Sequence, residues 1–185
     1  MTARTLKQPQ SGFHSLKLSA PVLRALAKAK YKQPSPIQAA VVPLALSGAD
    51  VIGQAQTGTG KTAAFLLPFL NNWKDKGLPG PEALVLAPTR ELVVQVAEEA
   101  QKLAPNRHCK TLAIYGGQRI RGQLQQLKQG CTIVVGTPGR ILDHLARGTL
   151  KLDGVPLCRA GRSRPYARYR VSTGYREDSQ ALSEE

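Results

Sequence analysis

The sequence predicts an α/β fold: a parallel sheet flanked by helices, incomplete at its C-terminal strands. Three observations predict it. Short apolar runs at residues 50–53, 82–87, 111–115 and 132–135 alternate with stretches of helical periodicity, the pattern of β-α-β units that assemble a parallel sheet. The first run feeds a glycine-rich loop that ends in Gly-Lys-Thr and continues as an apolar helix. After residue 158 the periodicity stops, before a fifth run of the same kind appears.

The chain has 185 residues, enough for one domain and a tail, and a formal net charge of +14, which suits a polyanionic partner. No apolar run reaches the length of a membrane span, and the N-terminus lacks the charged-then-apolar order of a signal peptide, so a cytoplasmic protein without a membrane partner is expected. Cys109, Cys131 and Cys158 are odd in number and widely spaced, which excludes a closed disulfide framework and gives no metal-ligand spacing. They are read as packing residues or bystanders.

In chain order, residues 1–12 are polar and expected to be flexible. Residues 21–29 place Val22, Leu23, Leu26 and Ala29 on one helical stripe, with Pro21 in the first turn. Ser35, flanked by Pro34 and Pro36, is an N-cap candidate for an apolar helix that runs to about residue 47. Gln38 in that helix carries an amide that donates and accepts together, matching an adenine edge, and Phe13 or Tyr31 offers a ring to stack on the base. The strand at 50–53 then enters Ala55-Gln56-Thr57-Gly58-Thr59-Gly60-Lys61-Thr62. Gly58 and Gly60 permit the tight backbone that aims N–H groups at phosphate oxygens, and the helix that follows adds the positive end of its dipole. Lys61 is placed to pair with the outer phosphates of a bound nucleotide and Thr62 to offer its hydroxyl to Mg²⁺, the two residues assigned to the chemistry. Ala55 stands where many such loops have glycine.

Beyond that helix, residues 71–81 read as a surface loop with Trp73 as a packing anchor. Leu92, Val93, Val96, Ala97 and Leu103 form one apolar helix face, and Ile120, Leu124 and Leu127 another. Each strand ends at a cluster of candidate contacts: Pro88, Thr89 and Arg90; Gly116 and Gly117; Thr137, Pro138, Gly139 and Arg140. In parallel sheets, ligands sit outside the strand C-termini. Hydroxyls, arginines and exposed backbone N–H groups there suit sugar-phosphate contacts, which carry no base information. His14, His108 and His144 show no catalytic pattern, and Asp143 reads as a helix-surface charge.

Together these segments resemble the DEAD-box RNA helicases. Phe13, Tyr31 and residues 34–38 are similar to that family's Q motif, residues 55–62 to its phosphate loop, residues 88–92 to motif Ia, Gly116-Gly117 to its double-glycine turn and residues 137–140 to motif Ib. Residues 115–150 look closest to bacterial cold-shock helicases of the ribosome-assembly kind. The resemblance implies a RecA-like N-terminal ATP-binding domain over residues 13–158, monomeric, using ATP and Mg²⁺ and holding RNA by its backbone without regard to sequence.

The same resemblance calls for motif II, Asp-Glu-Ala-Asp, after residues 148–157, and it is not there. Residues 159–170 read instead Arg-Ala-Gly-Arg-Ser-Arg-Pro-Tyr-Ala-Arg-Tyr-Arg, which on composition is a disordered basic tail. Yet synonymous codings of residues 159–172, read one base out of register, spell V-L-D-E-A-D-R-M-L-D-I-G-F. Most bases of those shifted codons are dictated by the residues present. Residues 159–185 are therefore expected to be an out-of-frame tail following a frameshift after Cys158. Two functional readings stay open: the N-terminal part of an ATP-dependent RNA helicase, or a non-catalytic ATP- and RNA-binding module. A different phosphate-loop ATPase is disfavoured by Gln38 and its flanking prolines.

Overall fold

Three parallel strands that end at the same level set the architecture of this computed structural model, which describes residues 12–56, 58–75, 77, 80–155 and 169–170. In chain order a 3-10 turn (Phe13–Leu16) precedes α1 (Ala20–Lys28), α2 (Pro36–Leu46), β1 (Val51–Ile52), α3 (Lys61–Asn72), β2 (Ala83–Leu86) and α4 (Arg90–Leu103). Then come β3 (Thr111–Ile114), α5 (Ile120–Lys128), β4 (Ile133–Gly136), α6 (Pro138–Ala146) and β5 (Tyr169–Arg170). Each of the four strands expected from the sequence is present within a residue or two.

β4 is central, with β2 and β3 on either side, and all three run parallel. Every residue of β4 is buried, as a two-faced strand between helix layers must be. The register aligns Leu86, Gly136 and Ile114, and backbone bonds from Ala87 N–H to Gly136 O and from Thr137 N–H to Ile114 O, each 3.0 Å, carry the alignment into the turns. The three candidate clusters thereby start from one edge of the sheet. Gly136 has no room for a side chain, since a Cβ there would meet Ile141 Cδ1 at 2.4 Å and Ile114 O at 2.8 Å.

α3 packs on almost every side: Ala63, Ala64, Phe65, Leu66, Leu67, Pro68 and Leu70 are all buried. A helix apolar all round belongs in a core, and here it lies against α1, α2 and α4. α1 ends in a Schellman motif, with Tyr31 N–H bonded to Leu26 O and Lys30 N–H to Ala27 O, both 3.0 Å, and Lys30 left-handed at φ 61°. That turn delivers Tyr31 beside Phe13. Trp73 packs against the main core and donates its indole N–H to Glu82 at 2.9 Å, so it is an anchor. Burial pushes the Cys109 thiol up to about 12 and that of Cys131 to about 11, leaving both protonated and unreactive packing groups. Cys158 lies outside the described residues.

The sheet differs from expectation in one respect. β1, the strand feeding the phosphate loop, is not paired with the three-stranded sheet; its partner is β5, in parallel register Val51↔Tyr169 and Ile52↔Arg170. A strand edge presents unpaired N–H and C=O groups, and an extended dipeptide satisfies them whatever its sequence. Two residues of the stretch expected to be a disordered tail are thus a short strand, while the rest of 159–185, like residues 1–11, lies outside the described residues. Among the described residues β2 is paired on one side only, and Leu86 (53%) and Ile52 (76%) are exposed. No helix among the described residues is long and apolar enough to cross a membrane.

Candidate functional site

The phosphate-loop half is built by α2 clamping the start of α3. Gly58 and Gly60 are left-handed at φ 81° and 82°, a conformation that leaves the loop to glycine. Gln38, 2% exposed, accepts a hydrogen bond from Ser35 N–H at 2.9 Å and donates to Gly60 O at 3.1 Å, so its amide ties the α2 cap to the loop. A Cβ on Gly60 would lie 2.3 Å from the Gln38 Nε2. The buried Ser35 hydroxyl lies beside the same glycine and turns its oxygen to the Gln38 N–H in the capping box of α2, which leaves its proton for a bound acceptor.

Lys61 opens α3 and folds back on the loop, its Nζ donating to Ala55 O and, at 2.9 Å, to Gln56 O. Phosphate oxygens fit there as replacement acceptors, with Lys61 exchanging two carbonyls for charge-assisted bonds. Thr59 caps the loop by donating to Gln56 O at 2.7 Å, and Ala55 packs with Ile37, Val41 and Ala64. Thr62 follows Lys61 in the first turn of α3. Thr57 lies outside the described residues. Among the described residues no group of three or more His, Cys, Asp and Glu side chains is disposed to hold a metal ion.

The two aromatic candidates are placed differently from a pair of open stacking faces. Phe13 is 5% exposed and meets Tyr31 edge-on, with centroids 6.0 Å apart and planes at 78°. Its ring is core, because the 3-10 turn packs it under α2 and α1. The Tyr31 hydroxyl donates to Glu99 on α4, and burial, then that bond, pushes the phenol well above its ordinary value, so it remains a neutral donor.

The second half lies at the ends of β2, β3 and β4. Thr89 caps α4, its hydroxyl accepting from Leu92 N–H at 3.3 Å, and Pro88 precedes it. The Arg90 guanidinium lies over the Tyr115 ring at 5.5 Å. It rests where a side chain at residue 117 would go: a Cβ on Gly117, φ 80°, would meet Arg90 Nη1 at 2.6 Å. Gly116 and Gly139 face open space. Thr137 is the N-cap of α6 and Pro138 its first residue. Arg140 donates to Gln118 O at 3.3 and 3.4 Å and to Gln123 Oε1 at 3.3 Å, and Gln118 in turn donates to the Tyr115 hydroxyl at 2.7 Å. Arg90 and Arg140 are therefore joined through Tyr115 and Gln118 into one cationic cluster.

A family model described as DEAD/DEAH box helicase matches residues 35–157. The chain belongs to the DEAD/DEAH box helicase family. It is 56% identical over 152 residues to the ATP-dependent RNA helicase DeaD of Klebsiella pneumoniae, covering 80% of this chain and 24% of that relative. Over 143 residues it is 48% identical to the DEAD-box ATP-dependent RNA helicase CshA of Bacillus subtilis, covering 77% of this chain and 29% of the relative. The chain thus spans about a quarter of the length of the curated relatives it matches. Among solved structures, a DEAD box protein from the hyperthermophile Methanococcus jannaschii aligns with a TM-score of 0.72 and 45% identity, over 78% of this chain and 39% of that one.

In this DEAD/DEAH box chain, sequence reasoning missed four residues at the arginine cluster: Tyr115, Gln118, Gln123 and His144. Gln123 is the buried residue of α5, in line with Ile120 and Leu127 on the stripe read as purely apolar. His144, which shows no catalytic pattern in the sequence, is fully buried and bonds Gln123 Oε1 at 3.0 Å and Thr149 Oγ1 at 2.9 Å. A polar residue on a core-facing stripe was the available signal for both. Asp143 does behave as a surface charge, paired with Arg147 at 2.6 Å.

Burial, then the Arg140 charge, holds the His144 imidazole below its ordinary value of 6.5, with Arg147 adding and Asp143 opposing. The unfolded chain therefore takes up this proton first. The stability that neutral His144 confers is complete above pH 6.5 and is lost as the pH falls toward the depressed value in the fold. Thermal melts of the full chain between pH 7 and pH 5 should show a falling Tm, and His144→Gln should flatten that fall. Asp75, Glu91 and Asp143 are held below ordinary carboxylate values and so do not titrate in this window.

Proposed function

We propose that this chain is the ATP- and RNA-binding N-terminal part of an ATP-dependent RNA helicase that acts in the cytoplasm as a monomer. ATP sits on the 55–62 loop, its phosphates taken by Lys61 and the loop N–H groups, its base toward Ser35, Gln38 and Tyr31. Mg²⁺ arrives with the phosphates and is met by the Thr62 hydroxyl. RNA lies along residues 88–90, 116–117 and 137–140, held by its backbone and not read by its bases. The observation that supports this best is the common level of β2, β3 and β4, which sets Arg90 and Arg140 in one connected cluster.

Residues 159–185 are proposed to be an out-of-frame tail, and the family match, which stops at residue 157, is consistent with a frame change after Cys158. Without motif II the chain as written binds nucleotide and does not hydrolyse it at a useful rate. The pairing of β5 with β1 favours a second reading, in which the same chain acts as a folded, non-catalytic ATP- and RNA-binding module.

RNA binding is tested by titrating a fluorescent ten-nucleotide U-RNA at several salt concentrations. Wild type should show log K falling linearly with log[salt], and Arg90→Ala or Arg140→Ala should each lower that slope by about 0.7, the loss of one phosphate contact on a single strand. An A-RNA of equal length should bind about as well. A slope unchanged in both variants would remove the assignment of this edge to RNA.

A further inference from the structure

Gln123 links three elements. Its Nε2 donates to the Tyr115 carbonyl at the end of β3 (3.0 Å), and its Oε1 accepts from Arg140 Nη1 (3.3 Å) and His144 Nε2 (3.0 Å), both on α6. The amide orientation is fixed, because a carbonyl only accepts and so faces the NH₂ end. The oxygen end then meets two donors, which places a proton on His144 Nε2. On the other side of the ring, Thr149 Oγ1 lies 2.9 Å from His144 Nδ1, and its hydroxyl donates to the His144 carbonyl at 3.0 Å. Gln123 is 3% exposed and His144 fully buried, so neither touches a ligand itself.

Arg140 is the beneficiary. Its side chain is 16% exposed, its neutral acceptors are Gln118 O and Gln123 Oε1, and its carboxylate neighbour, Asp143, stands 3.9 Å away and is paired more tightly with Arg147 at 2.6 Å. Neutral acceptors fix the direction of a guanidinium without cancelling its charge. A free arginine side chain carries rotamer entropy that contact with phosphate would otherwise have to overcome. Placing a buried amide and imidazole behind it removes part of that cost before RNA arrives.

We propose that Gln123 and His144 are positioning residues that set Arg140 for the RNA backbone. This rests on the RNA reading of the preceding section. Gln123→Met keeps the volume and removes every hydrogen bond; His144→Leu removes the donor to Gln123, and His144→Gln restores an N–H near the Nε2 position.

The test uses the full chain and the same U-RNA titration. Gln123→Met and His144→Leu should weaken binding about fivefold to tenfold and lower the salt slope by about 0.7, as Arg140→Ala does. The double variant with Arg140→Ala should bind no more weakly than Arg140→Ala alone, and His144→Gln should recover most of the loss. Urea unfolding of each variant shows whether it is folded at the assay temperature. If Gln123→Met does not fold, the His144→Leu and His144→Gln pair decides. A loss of affinity with an unchanged slope, or effects that multiply in the double variant, would show a merely structural role and overturn the proposal while leaving the RNA reading intact. An unchanged slope in Arg140→Ala, or no RNA binding by wild type, would overturn the RNA reading and this proposal with it.

Discussion

Gly60→Val eliminates saturable ATP binding and lowers the Tm of the chain by about 10 °C. Two costs add at this position. Its φ of 82° is left-handed, and a β-branched residue there costs on the order of 1–2 kcal/mol in backbone strain. Its Cβ would also lie 2.3 Å from Gln38 Nε2 and 3.3 Å from Cδ, so the buried amide must move and give up its bonds to Gly60 O and Ser35 N–H, at about 1–3 kcal/mol. Together, about 2–5 kcal/mol centres on roughly 10 °C for a chain of this size. Gly58→Ala supplies the contrast: φ is 81° but nothing lies within 4 Å of its Cβ, so only the strain remains. Differential scanning calorimetry with a labelled-ATP titration on both variants separates the two costs. Equal shifts for Gly60→Val and Gly58→Ala would mean that Gln38 does not brace the loop.

The strand and helix order was legible because burial imposes periods that the sequence displays. β4 is buried on both faces and reads as Ile-Val-Val, while α3 is apolar all round and reads as Ala-Ala-Phe-Leu-Leu. The pairing of β1 with β5 was not legible. It depends on an open strand edge rather than on any preference of Tyr169 and Arg170, and composition alone pointed to disorder.

At the site, the loop residues were legible because glycine at left-handed φ and a following helix N-terminus leave a sequence signature. Either Phe13 or Tyr31 offers a ring on sequence alone, because the sequence shows an aromatic and not which face it buries; in the fold Phe13 packs against Tyr31 and the main core. Gln123 and His144 were hidden for the opposite reason. They occupy core-facing positions where a period argument expects apolar side chains, and their value comes from partners on other elements, Tyr115, Arg140 and Thr149.

The second large effect concerns turnover. Phosphoryl transfer is accelerated by positioning and by charge around the transferred group, and a single missing charge contribution is worth about a thousandfold or more. In the proposed site Lys61 takes the phosphates and Thr62 meets the Mg²⁺ that comes with them. Among the described residues, however, no group of three or more His, Cys, Asp and Glu side chains is disposed to hold a metal ion beside them. A chain in which the shifted frame is restored, with Asp-Glu-Ala-Asp and the sequence that follows it, should therefore hydrolyse ATP at least about a thousandfold faster with RNA present than the 185-residue chain.

The most direct test is ATP binding and RNA-stimulated ATP hydrolysis measured side by side on the 185-residue chain and on Lys61→Ala. The expected result is nucleotide binding that Lys61→Ala removes, together with hydrolysis no faster than the Lys61→Ala background. Clear turnover abolished by Lys61→Ala, or wild-type chain that binds no ATP, would contradict the account.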